Sequence, residues 1–219
     1  DMSSLKLITY GTEPMPESLL LRLREAFPKT KLLQTFGTSE TGIAQTFSKS
    51  SSSTLMKIDD PNVQYKLVDG ELWLKSKTQI SGYLNADSDS FTADGWYKTG
   101  DLAEETEDGY LKIKSRLKEV INVGGQKVLP QEVEAVLVRM PEIADAVARA
   151  EQSAITGQIV AADVVLAPGV PEEFRANLRR EVRKFCADKL DNYKIPVKVN
   201  AVEKLDYGAR FKKKRLKHE

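Results

Sequence analysis

Two residue types that carry much of the metal and nucleophile chemistry of proteins are almost absent from this 219-residue chain, which has one cysteine, Cys186, and one histidine, His218. A lone thiol excludes an internal disulfide, and no signal-peptide pattern opens the sequence, so the expectation is a soluble, cytoplasmic protein. A zinc site would need ligands this chain hardly owns, and a Ser-His-Asp triad would have to be built on a histidine at the very tail. There is no run of about 18 apolar residues, so no membrane span is expected. An excess of one charge is also missing: Lys+Arg is 33 and Asp+Glu is 32, a net charge of +1. That balance argues against a protein built around a polyanion, although a local basic patch stays open. What is present is a 41% hydrophobic share, enough for a core, in a length that suits one large or two modest domains.

The pattern changes twice along the chain. "KLITYG" (6–11), "PESLLLRLREAF" (16–27) and "KLLQTFG" (31–37) read as strand, helix and strand, with Leu19, Leu20, Leu23, Ala26 and Phe27 at helical spacing and Pro16 in the first turn. That order predicts a parallel α/β sheet, whose ligands bind beyond the carboxyl ends of the strands, where "YGTEPMP" and "FGTSETG" lie. After a solvated loop, "SKSSSST" (48–54), the stretches "VQYKLVDG", "ELWLKS" and "YLKIKSR" alternate apolar with polar and predict short antiparallel β. Beyond "SRLKEV" (115–120) come a helix at 130–140, strands at 143–151 and 158–167, a long amphipathic helix at 172–190 and a strand at 197–205. The expected fold class is therefore α/β and α+β: the end of a large α/β domain with a short antiparallel β subdomain over 1–117, then a small α+β domain over 118–219.

Each candidate motif has a plain reading beside a chemical one. In "QTFGTSETG" small hydroxyl and glycine residues can wrap a phosphate with backbone N–H groups, and Glu40 beside them suits Mg²⁺, a hard cation that takes carboxylate and phosphate oxygens. A turn with a helix-capping Ser or Thr explains it equally. "YKTGDL" is a turn whose Asp101 caps something, or a carboxylate placed to accept hydrogen bonds from ribose hydroxyls. "NVGGQK" is a hairpin turn, or a glycine pair that lets a ligand approach the backbone. "RFKKKRLKHE" is by default a solvated tail, with a nucleic-acid patch as the lesser option.

The order of these stretches resembles the adenylate-forming superfamily of acyl- and aryl-CoA ligases, luciferases and peptide-synthetase adenylation domains. "FGTSETG" is similar to its (Y/F)GxTE motif and "GWYKTGD" to its WxxTGD motif. "GYLKIKSRLKEVINVGGQKVLPQEVE" follows its GxLxxxGRxKDxIxxGGxxxxPxEVE segment nearly position by position, and "GYLNADSDSFTADGWYKTGD" keeps its GY…DGWxxTGD spacing. The resemblance implies an AMP-forming ligase that uses ATP, Mg²⁺, a small carboxylic acid and CoA. It implies that Asp101 holds the ribose, Arg116 reaches it, and Phe36 stacks on adenine against the backbone of Thr12, Glu13 and Pro14. Gly37, Thr38 and Ser39 would line the phosphate and acyl carbonyl, and Glu40 would hold Mg²⁺. Lys118 would be the hinge of a mobile small domain, and Gly124 and Gly125 the loop facing the thiol.

Three departures qualify it. The family's glycine-rich phosphate loop, (T/S)SGSTGxPK, is absent from the 219 residues, so the chain on its own is expected not to form acyl-adenylate. The terminal LPxTxxGKxxR motif is replaced by "LDYGARFKKKR", which puts Lys212 at the catalytic lysine position, with Arg210, Lys213 and Lys214 close enough to compete. Ser115 stands where the family has glycine. A carrier protein's phosphopantetheine arm in place of CoA, and a non-catalytic adenylate-binding or interaction module, are the competing functions.

Overall fold

The computed structural model describes residues 2–11, 13–84, 87–208 and 212–215. The chain divides into two compact units, Asp1–Leu117 and Lys118–Glu219. The class is mixed α/β with many strands and few helices.

The first unit opens with β1 (Leu7–Tyr10), α1 (Glu17–Ala26) and β2 (Lys31–Gln34), and β1 and β2 pair in parallel. Of the predicted apolar stripe on α1 only Leu20 is buried, while Leu19 and Leu21 are 40% and 45% exposed, as is Leu7 at 46%. Two parallel strands alone cannot cover these side chains, because such sheets are stable when both faces are packed. The single strand expected at 31–37 is in fact two. Pairing with β1 stops at Gln34, the Thr35 amide donates to the Tyr10 carbonyl, and the chain enters a hairpin of β3 (Phe36–Thr38) and β4 (Gly42–Ala44). Serines of the expected solvated loop are put to use: Ser48 and Ser51 hydroxyls accept from the Gln34 and Leu32 amides at 2.7 and 3.1 Å.

The antiparallel part is a six-stranded sheet containing β5 (Thr46–Ser48), β6 (Met56–Ile58), β7 (Val63–Val68), β8 (Glu71–Ser76), β9 (Tyr97–Glu105) and β10 (Leu111–Arg116), in the order β5-β6-β10-β9-β8-β7. Asp69-Gly70 closes the β7–β8 hairpin with both φ positive (51° and 81°), the geometry that Asp-Gly turns favour. "YKTGDL" is not a turn but part of β9. Between Lys98 and Leu102 the strand carries two residues more than β8 opposite, and Gly100 at φ 72° absorbs the resulting bulge. Met56, Ile58, Leu72, Leu74, Ala103 and Leu111 form its core with Phe36 and Ala44.

A 3₁₀ turn (Leu117–Glu119) begins on the last residue of the first unit and leads, in the second, to β11 (Ile121–Val123) and β12 (Gln126–Val128), joined by Gly124 and Gly125 at φ 56° and 88°. Positive φ at both central residues is what a two-residue hairpin turn needs. Next come α2 (Pro130–Leu137), β13 (Ile143–Ser153), β14 (Gly157–Leu166), α3 (Glu172–Ala176), α4 (Leu178–Cys186) and β15 (Lys198–Ala201). The last strand runs parallel to β14, so the helical segment is its crossover. Pro130 stands at the first position of α2, and Glu132 reaches back to the Leu129 amide at 3.1 Å, which satisfies one orphan donor. The helix ends at Leu137, short of the expected 140, yet its predicted face of Val133, Val136, Leu137 and Met140 is buried. The helix expected over 172–190 is broken at Asn177, whose φ and ψ of −110° and 15° are non-helical and whose side-chain amide donates to the Glu173 carbonyl. A short polar side chain that bonds nearby backbone competes with the helix ladder. Leu178, Val182 and Cys186 join α2 and the β13–β14 hairpin in one core.

Of the basic tail only 212–215 are described, and two of these residues are not left to solvent. Gly208 donates to the Lys212 carbonyl and Lys214 to the Asp206 carbonyl, so 206–208 and 212–214 lie side by side. Lys213 pairs with Asp145, and Arg215 is buried against Glu134.

Candidate functional site

The candidate residues of the first unit lie on the turns that follow β1 and β2 and on the β9–β10 ladder. The loop after β1 (Gly11, Glu13, Pro14) lies beside the chain that follows β2. A Cβ on Gly11 would meet the Thr35 carbonyl oxygen at 2.2 Å, so glycine is what allows the two to touch. Thr12, expected with Glu13 and Pro14 to lie against adenine, is outside the described residues. The β3–β4 hairpin is equally tight, since a Cβ on Gly37 would lie 2.5 Å from the Gly42 carbonyl oxygen. At its tip the Thr38 hydroxyl accepts from the amides of Glu40 and Thr41 (3.2 and 3.1 Å), which fixes Ser39 and Glu40 at the turn. Phe36, expected to stack on adenine, is 8% exposed and belongs to the core cluster that also holds Ala103 of β9, so little of its ring faces solvent.

Asp101 and Arg116 face each other across the β9–β10 ladder, and Arg116 Nε donates to Asp101 Oδ1 at 2.9 Å. Arg116 Nη1 also donates to the Thr99 carbonyl at 2.9 Å. The Thr-Gly pair before the carboxylate has a mechanical purpose. The Thr99 hydroxyl donates to the Leu72 carbonyl (2.6 Å) and accepts from the Asp101 amide (3.0 Å), while the Gly100 amide donates to Glu71 Oε1 (2.9 Å). Threonine pins the bulge to β8, glycine supplies its positive φ, and the following carboxylate is aimed at Arg116.

Glu40 is tied to the start of β9, the strand that carries Asp101, by supports that sequence reasoning passed over. Tyr83 donates to Glu40 Oε1 at 2.8 Å, and its ring packs edge-on against Phe91 (5.7 Å), which meets Tyr97 at the start of β9 (5.1 Å). Burial alone would raise the Glu40 carboxyl, but hydrogen bonds from Tyr83, its own backbone amide, Thr38 and Tyr97 outweigh it and hold the group below its ordinary range. Glu40 is therefore ionised at neutral pH. Tyr83 was visible in the sequence as the tyrosine of the "GY" spacing, and Thr99 as the first residue of TGD. Glu71 carried no signal.

The remaining candidates belong to the second unit: Lys118 in the 3₁₀ turn, Gly124 and Gly125 in the β11–β12 turn, and Lys212 in the C-terminal segment. Arg210, a competitor for the lysine position, lies outside the described residues. A polar hollow of about 350 Å³ among Glu132, Asp188, Asp191 and Lys194 contains none of them. Among the described residues no cluster of three or more His, Cys, Asp or Glu could hold a metal, and no helix is long and apolar enough to cross a membrane.

Residues 132–212 match the family described as AMP-binding enzyme C-terminal domain. A 4-coumarate--CoA ligase-like protein of Oryza sativa is 36% identical over 77% of this chain and 31% of its own length. The chain belongs to the adenylate-forming superfamily. Among solved members, the amide bond synthetase McbA of Marinactinospora thermotolerans superposes with a TM-score of 0.84 at 26% identity, over 98% of this chain and 46% of that one. The o-succinylbenzoate CoA synthetase of Bacillus subtilis, in complex with its acyl-adenylate intermediate, gives 0.74 at 27% identity, over 97% and 45%. The chain thus spans less than half the length of the superfamily relatives it matches.

Proposed function

We propose that this chain is the adenylate-gripping and mobile-domain part of an ATP-dependent acid–thiol ligase, which activates a small carboxylic acid as its acyl-adenylate and passes the acyl group to CoA. The single observation that carries the reading is the Asp101–Arg116 pair on the β9 bulge. A carboxylate held by an adjacent guanidinium, at the edge of a unit with hydroxyl- and glycine-rich turns, suits a ribose diol beside a phosphate. Glu13 and Pro14 take the adenine edge, with Phe36 supporting it from the core, and Gly37, Thr38 and Ser39 line the phosphate. Lys118 serves as hinge, and Gly124 and Gly125 face the incoming thiol.

The donor set near Glu40 fits Mg²⁺. A single ionised carboxylate cannot cage the ion, but Mg²⁺ is commonly held by one or two carboxylates together with substrate phosphates and water. When bound, it would neutralise charge that develops on the phosphates. Lys212 supplies a second positive charge for that same step. The similarity to an amide bond synthetase favours one alternative: the activated acyl group passes to an amine, with a carrier-protein thiol as a further acceptor.

Calorimetric titration of AMP into the chain, with Asp101→Ala as control, tests the grip. Binding that Asp101→Ala abolishes supports the reading, and equal binding by both overturns it. In an ATP–pyrophosphate exchange assay the 219 residues alone should be silent, and carboxylate-dependent exchange would show that the phosphate loop is dispensable. Offering the complete enzyme CoA, carrier protein or an amine identifies the acceptor.

A further inference from the structure

The C-terminal segment is held by two charged anchors at alternate positions. Lys213 Nζ donates to Asp145 Oδ1 (2.6 Å) and to the Ala146 carbonyl (2.8 Å), and Tyr207 takes the other oxygen of Asp145 at 2.7 Å. Arg215 is the stronger anchor. Its Nε and Nη2 fork onto Glu134 Oε1 and Oε2, each at 2.8 Å, with side chains only 4% and 6% exposed. Its Nη1 reaches Glu119 Oε2 at 3.3 Å. Both carboxylates are themselves fixed: Glu134 accepts from the Ala148 amide (3.0 Å), and Glu119 accepts from Gln131 (2.8 Å). A bidentate arginine–carboxylate pair is the strongest and most directional ionic contact available to a side chain. Glu119 is also the residue next to Lys118, so Arg215 ties the tail, α2 and the turn after Lys118 to one point.

In an extended segment, successive side chains leave opposite faces, and alternate ones share a face. With 213 and 215 committed to the body of the unit, 212 and 214 are turned the other way. We propose that Arg215 is the positioning residue for Lys212: gripped by Glu134 and Glu119, it fixes the register and direction of the segment that carries the lysine. The inference rests on the reading that Lys212 acts in adenylate formation. Arg215 touches no reacting atom, and its effect is transmitted through the backbone of 212–215. A buried pair of this kind is weak evidence for stability as such, and its best-attested use is to specify geometry.

The test uses the complete enzyme and four variants, with Lys212→Ala as the reference. Arg215→Met removes the fork. Arg215→Lys keeps the charge without it. Glu134→Gln keeps the volume and the Ala148 bond, and so guards against simple failure to fold. The expectation is a fall in kcat for acyl-adenylate formation of about 10- to 100-fold for Arg215→Met, the scale of a small misplacement of a catalytic group, with KM little changed. Arg215→Lys should recover only part of the loss, and thioester formation from supplied acyl-adenylate should be spared. In parallel, amide exchange at Gly208 and Lys214, whose hydrogen bonds close the tail, should speed up while β13 and β14 stay protected. Exchange that rises throughout the unit means a structural role only and overturns the inference. So does an unchanged adenylation rate in Arg215→Met when Lys212→Ala abolishes it. If Lys212→Ala itself leaves adenylation intact, the assignment of Lys212 falls first, and the positioning inference with it.

Discussion

Arg116 stands directly opposite Asp101 on the antiparallel β9–β10 ladder, with its Nε 2.9 Å from Asp101 Oδ1. The pair is asymmetric. The Asp101 side chain is 8% exposed and the Arg116 side chain 42%, so the carboxylate is a fixed post and the guanidinium a partly solvated arm.

That asymmetry predicts a separation of function from stability. An exposed partner in an ion pair contributes about 0–1 kcal/mol to folding. Arg116→Gln should therefore leave the melting midpoint close to wild type. Losing a charge-assisted hydrogen bond to ligand costs about 1.5–3 kcal/mol, or roughly 10- to 100-fold in affinity. Calorimetry with AMP and a thermal melt of the same variant check both halves. A large drop in melting temperature with unchanged affinity would make the pair structural.

The glycines separate steric from conformational cost. At Gly37 a Cβ would meet backbone at 2.5 and 2.6 Å, which no rotamer relieves, so Gly37→Ala should distort the β3–β4 hairpin and abolish AMP binding. At Gly100 a Cβ has room, with only Arg116 Nη1 at 4.0 Å, but φ is 72°. Gly100→Ala should cost about 1–2 kcal/mol, the penalty for a left-handed residue, and retain weakened binding. Denaturant melts and calorimetry on both variants distinguish the two.

The sequence showed more of the second unit than of the first. The α2 face, the β13–β14 hairpin and the glycine turn follow from periodicity and turn chemistry, and each is buried or closed within its own unit. "YKTGDL" was misread as a turn because a Thr-Gly-Asp run in isolation is turn chemistry. Only the pairing with β8 and β10 shows that the glycine is a bulge inside a strand. Asn177 broke a helix that apolar spacing alone carried through, since the stripe of Phe174, Leu178, Val182 and Phe185 does not register a local side-chain hydrogen bond. Lys213 and Arg215 depart from the solvated default for a different reason. Lysine and arginine are solvated by default, and the carboxylates that capture Lys213 and Arg215 stand roughly 70 to 100 residues earlier, beyond any local window. Motif resemblance located Asp101 and Arg116, but the contacts that aim them, from Thr99 and Glu71, are tertiary.

Cys186 offers a reporter for the second unit. It is fully buried on α4, and burial, with Asp188 adding to it against Lys189, pushes its thiol up to about 11. The thiolate is the species that reacts, so native protein at pH 8 should resist iodoacetamide and label only as the unit opens. Labelling rate against denaturant should track the unfolding of 118–219, and rapid labelling of native protein would contradict the burial.

The tail should also release in acid. Burial alone would raise the Asp145 carboxyl, but hydrogen bonds from Lys213 and Tyr207, with the positive charge of Lys213, outweigh it and hold the group below 3.8. Because the folded value is the depressed one, the stabilisation is complete above the unfolded value of 3.8 and is lost as pH falls through the lower folded value. Protection factors for Gly208 and Lys214, which divide out intrinsic exchange, should be level from about pH 7 to 5 and fall below about pH 4. Asp145→Asn removes the titrating group that faces both Lys213 and Tyr207. In that variant protection should be lower at neutral pH and should lose this acid step. An acid step of the same size in Asp145→Asn would overturn the assignment of the step to Asp145.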